Sequence, residues 1–173
     1  MGDQIGVATA IKPEVLKRLE SNVGSPDSLA VITDDVYFSS FEALEDSKQG
    51  PTLALVVAGG WIESIYIAIN LAKYEDNSPV IERLADQKYT LENLIEFLKK
   101  HEADVNVKAV KTDFEGLLAE FNKINEKDAS DAKGKENKTK MLGGGKQLVM
   151  TQEVYKAIVE KIKTIRNSYT LTK

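Results

Sequence analysis

The chain has 173 residues, enough for one domain with its own core, and a formal net charge of −4. Only Arg18, Arg83 and Arg166 offer a planar fork to phosphate, so no nucleic acid is expected as a partner. Without cysteine there are no disulfides, thiolate metal sites, iron–sulfur ligands or cysteine nucleophiles.

Met1-Gly2-Asp3-Gln4 is not a basic stretch leading into an apolar run, so no signal peptide is read there. Lys12-Pro13-Glu14 opens a first helix, with proline where no N–H is needed, and Gly24 ends it. A second helix starts at Ser25-Pro26-Asp27 or Ser28 and runs to about Gln49. Its Leu29, Ile32, Val36 and Leu44 share one face, and Asp34, Asp35, Glu42, Glu45 and Asp46 the other. Val31 and Phe38 sit seven residues apart within that acidic face. They are candidates for contact with a protein partner or with an adjacent segment of the chain.

Gly50-Pro51 breaks the chain, and a third helix is expected from about Thr52 to Tyr74. Its length and apolarity are those of a bilayer span. Glu63, Asn70 and two central glycines speak against one, because a mid-bilayer carboxylate costs at least ~2.5 kcal/mol. No membrane-spanning segment is therefore expected. The helix is read instead as a central one, apolar nearly all round because other helices enclose it. Gly60, Ser64 and Ala68, at i, i+4 and i+8, are expected to let a neighbouring helix approach closely. Gly59, Glu63 and Asn70 form a second, narrow strip, flanked by Tyr66 and Tyr74. That strip is either a solvent edge or interhelical polar contact, or a pocket in which Glu63, Asn70 and Tyr66 orient a small ligand.

Ser78-Pro79 is a cap and first-turn pair for a short fourth helix, and Thr90 is expected to cap a fifth. Val107, Val110, Phe114, Leu117, Phe121 and Ile124 alternate spacings of three and four, the seam of a sixth helix that packs on neighbours. Residues 126–146 carry almost no large apolar side chain and include Gly143-Gly144-Gly145, so they are read as a mobile polar loop. Leu148-Val149-Met150 suits a short extended piece. A last helix runs from about Thr151 to Ser168 on Val154, Ile158, Ile162 and Ile165. The prediction is all-α: one irregular bundle or array of six to seven helices around the third.

Catalytic signatures are lacking. Gly143-Gly144-Gly145-Lys146 is followed by Gln147, not the Ser or Thr a phosphate loop places on magnesium. His101, the only histidine, sits near a predicted helix C-terminus, where a capping role suffices. A lone histidine rules out histidine-cluster zinc sites, and no G-x-S-x-G elbow is present. No catalytic residue, metal site or cofactor is assigned.

The segment Leu55-Val56-Val57-Ala58-Gly59-Gly60-Trp61-Ile62-Glu63-Ser64-Ile65-Tyr66-Ile67-Ala68 resembles a signature of uncharacterised all-helical proteins of Bacteroidetes, which often carry a lipoprotein signal. Asp27-Ser28-Leu29 and Ile165-Arg166-Asn167-Ser168 are similar to the same group, in the same order along the chain. The resemblance implies an all-α fold and a cell-envelope location. It also implies a further helical segment upstream in the longer protein. It implies no activity and no functional residue. Three readings stay open: a non-enzymatic scaffold or protein-interaction module, a small-ligand-binding protein or enzyme with a pocket around Glu63 and Asn70, and a structural fragment whose core is completed by an N-terminal part of a longer protein, which would show as a large exposed apolar patch.

Overall fold

The computed structural model describes residues 13–46, 49–76, 78–128 and 146–170. Among them the fold is all-α. It has six helices, α1 (Pro13–Ser21), α2 (Pro26–Asp46), α3 (Gly50–Leu71), α4 (Pro79–Lys99), α5 (Val105–Phe121) and α6 (Gln152–Thr170). A single antiparallel hairpin joins β1 (Asn125–Asp128) to β2 (Lys146–Val149), with Asn125 opposite Val149 and Asp128 opposite Lys146. The chain divides into two compact units, Met1–Val56 and Val57–Lys173, and the boundary falls within α3.

In the first unit, α1 buries no side chain. The buried apolar residues are Ile32 and Leu44 of α2 and Leu53 and Ala54 of α3. Leu29 and Val36, on the same face of α2, are half-buried.

The second unit holds most of the core. In α5, Val107, Phe114, Leu117 and Phe121 are fully buried, as the three-and-four seam requires, and Ile124 follows them inside. In α6, Ile158, Ile162 and Ile165 face inward, with Tyr155 buried where Val154 was expected. Asp104 caps α5 by accepting from the backbone N–H groups of Asn106 and Val107. Ser78 caps α4 through the N–H of Ile81. Each such cap is worth about 1 kcal/mol.

Three expectations change. The predicted fourth and fifth helices are one, α4, because Ala85 to Tyr89 contains no breaker. Its apolar stripe runs unbroken through Ile81, Leu84, Ala85, Leu91, Leu94, Ile95 and Leu98. The polar stretch from residue 126 begins as strand β1, held by pairing to β2 rather than by burial of its own side chains. The rest of that predicted loop, including Gly143-Gly144-Gly145, lies outside the described residues. The third change concerns α3. Only 33% of its most apolar window is buried. Ala58, Ile62, Ile65 and Ile69 point inward, while Gly59, Gly60, Ser64, Ile67, Ala68 and Leu71 are exposed. A Cβ on Gly59 or Gly60 would meet nothing within 4 Å, so among the described residues of the second unit no helix uses the expected close-packing face.

Candidate functional site

The acidic face of α2 is built by its sequence. Asp27, Asp34, Asp35, Glu42, Glu45 and Asp46 share the helix with no lysine or arginine. At 100° per residue, Val31 and Phe38 fall in the middle of these carboxylates, two turns apart, while Ile32 and Leu44 fall on the opposite side. The structure leaves Val31 59% and Phe38 63% exposed. Tyr37, 50% exposed, meets Phe38 edge-on at 5.7 Å between ring centroids. Phe41, half-buried, lies 6.4 Å from Tyr37. The result is an exposed aromatic group that runs from Phe38, among the carboxylates, round the helix to Tyr37 and Phe41 on one flank of them. Scattered single apolar residues on a surface need no explanation, but a contiguous group with a polar rim marks an interaction surface. Sequence reasoning found Val31 and Phe38 from their spacing. It missed Tyr37 and Phe41, whose aromatic neighbours in sequence were the available signal.

Among the described residues of the unit, Arg18 of α1 meets this face, 3.5 Å from Asp35, with both side chains more than half exposed. Such a pair contributes little. α2 also carries Glu45 near its end, with no basic residue in its last turn. A helix C-terminus disfavours negative charge by a few tenths to about 1 kcal/mol per group, so the Glu45 carboxylate works against its own helix.

Glu63, Tyr66 and Asn70 sit elsewhere, in the second unit. Arg166 of α6 grips both oxygens of Glu63, Nε donating to Oε2 at 2.9 Å and Nη2 to Oε1 at 3.2 Å. The same guanidinium lies 4.6 Å from the Tyr66 ring centroid, a cation–π contact. The bond from Arg166 holds the Glu63 carboxyl below its ordinary range, against a smaller opposing effect of desolvation. Asn70 does not join this cluster. Its amide donates to the Tyr66 carbonyl at 2.6 Å, one turn back on the same helix. Nothing local in the sequence connects Glu63 to Arg166, which lies 103 residues away.

Further side-chain bonds tie this unit together. The Trp61 indole N–H donates to Gln87 at 3.3 Å and its ring packs on Phe114 at 5.5 Å. The Tyr169 hydroxyl donates to Asp113 at 2.8 Å. Burial, together with this bond, pushes the Tyr169 hydroxyl above the ordinary tyrosine range. A cleft of about 430 Å³ opens beside the start of α6, lined by Tyr74, Asp76, Glu82, Lys127, Met150 and Thr151 among others. Glu63, Tyr66 and Asn70 do not line it. Among the described residues no polar or charged residue is buried, and no three acidic or histidine side chains are grouped to hold a metal.

No family model, curated protein or solved structure matches the chain.

Proposed function

We propose that this protein is a helical interaction module that docks a basic, apolar-faced helix of a partner protein on α2. The observation that carries the reading is that Val31 and Phe38 stand exposed among the carboxylates of α2, with the exposed Tyr37 ring against Phe38. The apolar residues supply contact area, and Tyr and Phe are rigid anchors that lose little entropy on docking. The rim supplies sign: a partner bearing lysine or arginine beside its apolar stripe is drawn in, and an acidic one is repelled. Cations at the C-terminal end of α2 would also relieve the unfavourable placement of Glu45. We read α3 as a helix of the folded unit rather than a membrane span. Although long and apolar enough to cross a bilayer, it is tied by Trp61 to α4 and α5 and by Glu63 to α6.

The test uses two synthetic amphipathic helices with the same apolar stripe, one flanked by lysines and one by glutamates. Titration is followed by the amide resonances of α2. The lysine peptide is expected to bind, more weakly as salt rises, and to lose affinity to a Val31→Ser, Phe38→Ser double variant. Equal binding of both peptides, or binding indifferent to the double variant, would contradict the proposal. So would no binding of the lysine peptide at low salt.

A further inference from the structure

We infer that the cleft beside the start of α6 binds a small apolar amino acid, taking its ammonium on Asp76 and Glu82 and its carboxylate on Lys127. The cleft belongs wholly to the second unit and, at about 430 Å³, has the size of a small-molecule site. Ile81, Leu148 and Met150 also line it, each no more than 5% exposed, and give the body of a ligand an apolar wall. A site of this kind pairs apolar walls with a few placed polar groups, and here those groups carry both signs of charge.

The acceptor side is held in place and short of protons. The Tyr74 ring packs on Tyr155, 5.3 Å between centroids. Its hydroxyl oxygen lies 2.5 Å from Asp76 Oδ1 and 3.0 Å from the Met150 carbonyl oxygen. A phenol has one proton to donate, so one of these two acceptors is always left without it. The bond to Asp76 raises the Tyr74 hydroxyl above its ordinary range, so the phenol keeps that proton at neutral pH. Glu82, in the first turn of α4, is positioned by Gln147, whose amide donates to Oε1 at 3.2 Å. Among the described residues its Oε2 takes no bond. An ammonium brings three N–H donors to such a set of acceptors.

The donor side is smaller. Lys127 of β1 lines the cleft and makes no ion pair among the described residues. Thr151 Oγ1 accepts from the Val154 N–H at 3.3 Å, which leaves its own proton free to donate. One carboxylate suits these two donors. Charge then selects the class of ligand. Two carboxylates repel a simple anion, and a simple amine leaves Lys127 without a partner. A zwitterion with one ammonium and one carboxylate satisfies both sides, and the apolar wall takes its side chain. The cleft is open to solvent, so its charges are screened and a Kd on the order of 1 mM is expected.

The test is titration of the full chain with L-leucine, L-methionine and L-phenylalanine up to about 20 mM, followed by its amide resonances. At least one of the three should bind saturably and move the resonances of residues 74–76 and 147–153. The N-acetyl and carboxamide derivatives of that amino acid, which lack the ammonium and the carboxylate respectively, should each bind at least about tenfold more weakly. Asp76→Asn and Lys127→Gln should weaken binding to a similar degree, with the α5 resonances unchanged. Lys127 is exposed, so its variant keeps the fold even if the loss of the Tyr74 contact disturbs Asp76→Asn. Four results would overturn the inference: no saturable shift with any of the three, shifts centred outside the cleft, equal binding of either derivative, or wild-type binding by Lys127→Gln.

Discussion

Helices α2 and α5 have about the same apolar content and spend it differently. α5 puts Val107, Phe114, Leu117 and Phe121 wholly inside. α2 buries Ile32 and Leu44 and leaves Val31, Tyr37 and Phe38 at 50% exposure or more. The difference lies in pattern rather than in amount. In α5 the large side chains fall on one strip. In α2 they are spread round the helix, and Val31 and Phe38 stand among carboxylates that no apolar core would accept unpaired. Apolar residues of α5 therefore hold the fold, while Val31 and Phe38 on the acidic face of α2 stay exposed.

The comparison breaks or stands on how each side chain contributes to stability. The largest effect is expected from Phe114→Ala, which empties a fully buried site and should cost ~3–5 kcal/mol. Trp61, the sole tryptophan, packs on Phe114, so its emission during denaturant unfolding reports this loss. Leu44→Ala tests the buried side of α2 itself. Leu44 is 2% exposed, and its truncation should cost at least ~2 kcal/mol, read by far-ultraviolet circular dichroism. A cost near zero would mean that α2 has no structural face.

Gly60→Ala should act in the other direction. An exposed mid-helix glycine with open space at its Cβ gains ~0.5–1 kcal/mol on becoming alanine. Destabilisation in the same denaturant assay would show that something within the chain packs there after all.

A smaller effect concerns pH. Arg166 holds the folded Glu63 carboxyl below the ordinary 4.5. The contribution of the pair is therefore complete above about pH 4.5 and is lost as the pH falls through the depressed folded value. Glu63→Gln and wild type should differ slightly at pH 7 and converge toward pH 3. A difference that grows on acidification would contradict the pairing.

The fold was legible where the period was clean. The α5 seam and the Ser78-Pro79 start of α4 were readable from spacing and cap chemistry, and so was the inward face of α6 apart from Tyr155. α3 was not, because a helix apolar on nearly every side has no contrast from which to choose its buried face. β1 was hidden for the opposite reason: Asn125 to Asp128 has no apolar alternation, and only its ladder with β2 makes it a strand. Of the residues proposed for function, Val31 and Phe38 were visible as apolar exceptions on a charged face. The grip of Arg166 on Glu63 was not visible, since tertiary pairing across so long a separation leaves no local mark.

The measurement that bears most directly on the account is the stability of the Val31→Ser, Phe38→Ser double variant without any partner. If these side chains belong to no core, the variant should unfold within ~0.5 kcal/mol of wild type, as surface substitutions do. A loss of ~2 kcal/mol or more, the scale of a buried truncation, would show that α2 packs its acidic face inward and would remove the docking surface.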